Sequence, residues 1–125
     1  MEQKLKREPL GKGFFVYVTP HHTFGTDAVL LSHFASAKPK DRMVDLGTGC
    51  GIIPLLMLRD NKLQTAVGVD ISDEATVIAS KTVKDQKIEN FKIINSNLTD
   101  LKGKVEFGFH TLVTCNPPYK APNGG

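Results

Sequence analysis

Two clusters in this sequence of 125 residues have the residue types and spacing to do chemistry. The first is Val44-Asp45-Leu46-Gly47-Thr48-Gly49-Cys50-Gly51. Glycines let a chain turn sharply and let a ligand lie against bare main chain. The spacing is G-x-G-x-G, whereas the dinucleotide fingerprint G-x-G-x-x-G would need a third glycine at Ile52. No Gly-Lys-Ser/Thr follows, so this is not a P-loop. Asp70 stands about twenty residues on, where a carboxylate can accept hydrogen bonds from both hydroxyls of a ribose. Loop and carboxylate together point to a ligand with an adenosine-like moiety. The second cluster is Asn116-Pro117-Pro118-Tyr119. Its prolines remove two N–H donors and fix φ, leaving a rigid run of carbonyl acceptors beside an amide oxygen. That suits a partner that donates hydrogen bonds, such as an amino group, and Tyr119 offers a flat face for stacking a ring. Read alone, the same four residues also serve as a strand-ending turn.

The flanking elements must position these clusters. Gly13 to Thr19 is aromatic and β-branched and reads as a strand ended by Pro20. Thr26 and Asp27 can cap a helix from Ala28 to about Ser36, with Val29, Leu30, Leu31, Phe34 and Ala35 as its apolar face. An alternation follows: strand Arg42 to Leu46, the glycine turn, helix Ile52 to Asp60, strand Ala66 to Val69, and a helix from Asp73 to about Asp85 for which Ser72 can cap. Pro54 falls in the first turn of its helix, where a missing N–H costs little. Phe91 to Ile94 and Phe109 to Cys115 read as two further strands. This spacing predicts βαβ units, right-handed crossovers and a parallel sheet whose strands end along one edge. Asp45, Gly47, Gly49, Gly51, Asp70, Asn97 and Asn116 all fall at that edge, where open α/β sheets bind ligands. Turn chemistry accounts for part of this clustering, since Asp and Asn favour turns.

Composition sets the outer bounds. The chain is 40% hydrophobic and 23% charged, an ordinary globular balance that excludes disordered, collagen-like and coiled-coil classes. The longest apolar stretch, Ile52 to Leu58, is far short of a membrane span of roughly 20 residues. The charged start carries no secretory pattern. Cys50 and Cys115 read as reduced thiols of a cytoplasmic protein. Cys50 reads as a small buried residue rather than a nucleophile, since nothing basic adjoins it. His21-His22 is an isolated pair, so no metal site is expected. The net charge of +3 permits an acidic partner such as RNA without demanding one. Residues 1–12, with Lys4, Lys6, Arg7 and Lys12, read as a flexible basic terminus.

Asp45-Leu46-Gly47-Thr48-Gly49-Cys50-Gly51, followed by Gly68-Val69-Asp70-Ile71-Ser72, resembles the first two motifs of class I S-adenosylmethionine-dependent methyltransferases. The resemblance implies a Rossmann-like α/β fold and S-adenosyl-L-methionine as cofactor. It implies that Asp45, Gly47, Thr48, Gly49 and Gly51 wrap the cofactor's amino-acid part. Asp70 would hold the ribose and Ile71 would pack on adenine. Asn97 would accept from the adenine amino group, in a place where the family often has Asp, and Leu98 would supply the adjacent backbone N–H. The Asn-Pro-Pro-Tyr motif resembles the one that methylates exocyclic or amide nitrogen, with Asn116, Pro117, Pro118 and Tyr119 as the catalytic set. Two subfamilies share it: one acts on adenine N6 in nucleic acid, the other on a glutamine side chain of a release factor. The run Phe24-Gly25-Thr26-Asp27-Ala28-Val29-Leu30-Leu31, with Gly51-Ile52-Ile53-Pro54-Leu55-Leu56, is similar to the adenine-N6 tRNA enzymes. It implies that Thr26 and Asp27 sit near the cofactor's methionine end and that tRNA is the substrate.

The resemblance covers about residues 12 to 120, yet the family's sheet has more strands than this sequence supplies. The expectation is therefore one truncated domain, residues 1–125, corresponding to the N-terminal half of such an enzyme. It would be active alone or only when paired with a C-terminal half; the alternative is a non-catalytic cofactor-binding fragment. A nicotinamide dehydrogenase is disfavoured by Ile52 and by the Asn-Pro-Pro-Tyr motif.

Overall fold

A computed structural model describes residues 4–35, 37–105 and 108–115; Asn116 to Tyr119 lie outside the described residues. Nine elements follow in chain order. They are β1 (Lys6–Gly11), β2 (Phe14–Val18), α1 (Thr26–Phe34), β3 (Arg42–Leu46), α2 (Ile52–Arg59), β4 (Thr65–Asp70), α3 (Asp73–Asp85), β5 (Phe91–Asn95) and β6 (Leu112–Cys115).

The main sheet has the order β5-β4-β3-β6, and all three pairings are parallel. From β3 the chain steps outward through β4 to β5, then returns to the other side of β3. The strand order thus reverses at β3, which is the kind of place where doubly wound sheets bind ligands. The pleat divides the side chains. Met43, Ala66, Phe91 and Leu112 face α2 and α3, while Val44, Val67, Val69 and Ile94 pack with Leu101 and Val105 on the other face. Every residue of α2 from Ile52 to Leu58 is buried, which explains why its sequence is apolar all round.

The basic start of the chain differs from the flexible terminus expected from composition. Lys6–Gly11 is a strand, paired antiparallel with β2 through a turn in which Gly11 and Gly13 have positive φ. Two contacts hold the strand in place: the Arg7 guanidinium lies 3.8 Å from the Phe15 ring centroid, and Arg59 donates to the Leu10 carbonyl. The hairpin's second edge is closed by side chains of α3 and of its C-cap residue, Gln86. Gln86 accepts from the Phe15 N–H and donates to its carbonyl, and Thr82 accepts from the Tyr17 N–H. One turn of helix separates Thr82 from Gln86, so both reach the same strand.

Two other expectations are corrected. Helix α1 starts at Thr26, with Gly25 as its N-cap and no side-chain cap bond, so Thr26 and Asp27 sit inside the first turn rather than capping it. Its buried residues are Ala28 and Ser32, whereas Val29, Leu30, Leu31 and Phe34 are exposed. Strand β6 starts at Leu112 rather than Phe109. Thr111 exchanges bonds with Arg42 and Asp41, and the Arg42 guanidinium stacks on the Phe109 ring, which holds the preceding residues in a turn. Among the described residues no helix is long and apolar enough to cross a membrane, and no group of three or more His, Cys, Asp and Glu gathers to hold a metal.

Candidate functional site

The chain leaves β3 through Gly47, Thr48, Gly49, Cys50 and Gly51 and enters α2 directly. Gly47, Gly49 and Gly51 all have positive φ, at 72°, 59° and 87°. L side chains rarely adopt that region, so three glycines here are a backbone requirement. The two best-defined cases differ. A Cβ on Gly49 would point into open space, as expected where a ligand approaches main chain. A Cβ on Gly51 would lie 3.3 Å from the Phe91 ring, so this glycine is needed for packing.

The loop is tied to the end of β4. The Gly47 and Thr48 N–H groups donate to the Val69 carbonyl, and the Gly49 N–H donates to Asp70 Oδ2 at 2.8 Å. Asp70 Oδ1 accepts from the Ser72 N–H at 2.9 Å. Each carboxylate oxygen keeps a further lone pair, so Asp70 is oriented by the protein and still able to accept from a ligand. Ser72 caps α3 by accepting from the Ala75 N–H, as its sequence position implied.

Beneath the loop lies Asp45, with no solvent exposure. Its Oδ2 accepts from the Thr48 hydroxyl and its Oδ1 from the Thr114 hydroxyl, each at 2.7 Å. Burial pushes its carboxyl up to about 6, against the two hydroxyl bonds, with Asp70 adding to the rise. Thr48 can reach Asp45 because its neighbour on β4 is Gly68, where a Cβ would sit 2.8 Å from the Thr48 methyl. Burial also pushes the Cys50 thiol up to about 11, so it is a neutral packing group.

A cavity of about 680 Å³ opens over the loop, within the range of small-molecule sites. Asp27, Gly47, Thr48, Gly49, Asp70, Ile71 and Leu98 line it, so the structure brings these sequence candidates together. Ile71 is 63% exposed there, an apolar face left largely to solvent. Four other candidates are not part of the lining. Thr26 is exposed in the first turn of α1, Asp45 lies below the loop, and Gly51 backs onto Phe91. Asn97 spends its side-chain oxygen on the Thr99 N–H and hydroxyl, closing a local turn.

Sequence spacing gave no signal for the far wall, which is built by His21, His22, Thr23 and Phe24. His22 Nε2 lies 3.2 Å from Glu74 Oε1 in the first turn of α3, so the segment before α1 is held across the cavity mouth. The lining chemistry fits an adenosyl ligand bearing an amino acid. It combines bare main chain at Gly49, an oriented carboxylate at Asp70, and apolar surfaces at Ile71, Leu98 and Phe24.

Comparison with known proteins decides the family. The model of the methyltransferase small domain matches residues 16–124. The chain belongs to that family. Among curated relatives, it is 34% identical over 98 residues to the tRNA1(Val) (adenine(37)-N6)-methyltransferase of Shewanella amazonensis, covering 75% of this chain and 40% of that one. It is 35% identical over 78 residues to the release factor glutamine methyltransferase of Fusobacterium nucleatum, covering 62% and 21%. It is 26% identical over 83 residues to the rRNA N(6)-adenosine-methyltransferase metl-5 of Caenorhabditis elegans, covering 66% and 39%. The chain thus spans well under half the length of these relatives. Among solved structures, TrmK of M. capricolum in complex with S-adenosyl-homocysteine superposes with a TM-score of 0.56 at 20% identity, covering 66% of this chain and 36% of that one. A dimethyladenosine transferase from Plasmodium falciparum does so with a TM-score of 0.61 at 17% identity, covering 81% and 34%. These likenesses establish the Rossmann-like methyltransferase fold.

Proposed function

We propose that this methyltransferase small domain binds S-adenosyl-L-methionine in the cavity over the glycine loop and methylates the N6 amino group of adenine in RNA, with tRNA as the substrate class. The observation that carries the cofactor reading is the pairing of Gly49 and Asp70 at the strand-order reversal: one bare main-chain surface and one oriented carboxylate, bonded to each other at 2.8 Å. When bound, the cofactor supplies an electrophilic methyl group on sulfur.

The chain's own groups supply position. Asp70 accepts from the ribose hydroxyls while held by Gly49 and Ser72. Ile71 and Leu98 offer apolar surface to the adenine. Asn116 follows the last residue of β6 directly in sequence. In this reading its amide oxygen and the Pro117 carbonyl accept the two N–H bonds of the target amino group. That would draw the nitrogen towards tetrahedral geometry and free its lone pair for in-line attack on the methyl carbon. The nitrogen–carbon bond would form as the carbon–sulfur bond breaks, sulfur would keep the bonding pair and leave as a neutral thioether, and the methylated nitrogen would then lose one N–H proton to solvent. Pro118 keeps the run rigid and Tyr119 stacks on the base. No base of shifted pKa is needed before attack, so catalysis comes from positioning and oriented dipoles. A base in a stacked loop must first be flipped out.

The glutamine reading remains the second one, because relatives of both kinds align at similar identity. The Phe24-Gly25-Thr26-Asp27 run favours adenine by resemblance, and Phe24 and Asp27 both line the cavity. The test is calorimetric titration of the full-length protein with S-adenosylmethionine, followed by methyl transfer from labelled cofactor to unmodified tRNA and, separately, to a release factor. Asn116→Ala should abolish transfer and leave cofactor affinity nearly intact. Methylation of the release factor alone refutes the adenine assignment, and no cofactor binding by folded protein refutes the whole reading.

A further inference from the structure

Residues 19–25 join β2 to α1 as a strap, and part of that strap forms the far wall of the cavity. Packing fixes it at two points: Thr19 is buried, and Phe24 packs against the main apolar core. Between them the chain closes on itself. The Thr19 N–H donates to the His22 carbonyl at 3.1 Å, and the His22 N–H donates back to the Thr19 carbonyl at 3.2 Å and to the Thr19 hydroxyl oxygen at 3.1 Å. Pro20 lies inside this turn, where its ring fixes φ. The strap is therefore preformed, and it presents the His22 imidazole at a defined place.

The opposite wall is Asp70, Ile71 and Ser72, where β4 passes into α3. It is rigid as well, because the Ser72 N–H donates to Asp70 and the Ser72 hydroxyl oxygen caps α3 by accepting from the Ala75 N–H. Glu74 stands in the first turn of that helix, with its Oε1 3.2 Å from His22 Nε2. This ion pair ties one wall to the other. Its side chains are 20% exposed at His22 and 47% exposed at Glu74, so it sits at the rim. His22 lines the cavity, whereas Glu74 is not among the lining residues. A carboxylate serving only the helix dipole needs no imidazole facing it, and Asp73 already supplies a negative charge in the same turn.

We propose that His22 and Glu74 form a clasp that holds the strap over the bound cofactor and slows its departure. The inference rests on the cofactor reading above and deepens it. Glu74 acts on the ligand through His22, as a positioning residue. A ligand behind the strap leaves when the strap opens, and local opening is far less costly than unfolding. Even a partly exposed ion pair can therefore control the rate of opening while contributing little to global stability.

The experiment compares full-length wild type, His22→Ala, Glu74→Ala, the double variant and His22→Lys. The dissociation rate of S-adenosylhomocysteine is measured by surface plasmon resonance. Exchange of the Thr19 and His22 amide hydrogens is measured by NMR in ligand-free wild type and Glu74→Ala, since opening the strap frees both. S-adenosylhomocysteine is a zwitterion without net charge, so the long-range field of Glu74 has little hold on it. Each alanine variant should release the ligand about two- to fivefold faster, the range set by a rim ion pair. The double variant should be no faster than the faster single one, because either substitution opens the same clasp. His22→Lys keeps a cation facing Glu74 and should restore slow release. Amide exchange at Thr19 and His22 should rise about two- to fivefold in Glu74→Ala.

Unchanged dissociation in Glu74→Ala overturns the proposal. So do losses that multiply in the double variant, or a fast rate that lysine does not restore. Wild-type protein that binds no S-adenosylhomocysteine refutes the cofactor reading, and amide exchange then decides the clasp separately: a rise in Glu74→Ala supports it as the closure of this cavity, and unchanged exchange overturns it.

Discussion

Replacing Asp45 by asparagine isolates the energetic consequence of a fully buried carboxylate. In the folded chain burial raises its carboxyl to about 6, whereas the ordinary value is 3.8. The native state therefore holds this proton more tightly than the unfolded chain, and stability falls as pH rises through the window between the two values. The gap of about two units corresponds to about 3 kcal/mol, lost between about pH 4 and about pH 6.5 and level above that. Other carboxylates act in the opposite sense and at lower pH. The Lys38 backbone N–H holds Asp41 below the ordinary value, the Arg59 guanidinium lowers Asp60, and the Tyr17 hydroxyl lowers Asp85. Their contributions are lost only as pH falls towards those lowered values, so the two windows separate. The assay is urea unfolding of wild type and Asp45→Asn at a series of pH values. The difference between the two proteins cancels the shared carboxylates. Wild type should lose about 3 kcal/mol relative to the variant between about pH 4 and about pH 6.5. A difference that stays flat across this window would refute the argument, because Asp45 would then titrate as a solvated carboxylate.

Three further outcomes are expected. Asp70→Ala should weaken S-adenosylmethionine binding by about 1–3 kcal/mol by calorimetry, since it removes a charged acceptor and frees the Gly49 N–H. Gly68→Ala should destabilise the fold by about 1–3 kcal/mol in urea, because its Cβ would sit 2.8 Å from a β-branched side chain that is itself bonded to Asp45. Gln86→Ala should cost about 1–2 kcal/mol and raise hydrogen exchange at Phe15 above that at Met43, because both Phe15 main-chain groups lose their partner.

Local rules were enough to read the central part of the fold. The strands around Val44, Val67 and Ile93, the cap at Ser72 and the apolar helix after Gly51 follow from short-range pattern and turn chemistry, and those forces act within a few residues. The glycine spacing, with Asp70 at the end of the next strand, was legible for the same reason: positive φ and strand-end acidity are properties of single positions. What the sequence could not supply was anything that depends on packing between distant segments. Lys6–Gly11 is polar in sequence and becomes a strand only because β2 lies beside it and α3, with its C-cap residue, closes the second edge through Thr82 and Gln86. Thr26 and Asp27 have cap chemistry, but the chain enters α1 at Gly25, so that chemistry goes unused. Asn97 has acceptor chemistry that its own turn consumes. Asp45 had the look of a ligand contact, and tertiary structure made it the buried joint between Thr48 and Thr114, residues 66 positions apart in sequence. Sequence alone determined which chemical groups stand at the ends of the strands. Only the tertiary structure decided which of them face the cavity and which hold the strands in register, because register and burial are set by neighbours that no local pattern specifies.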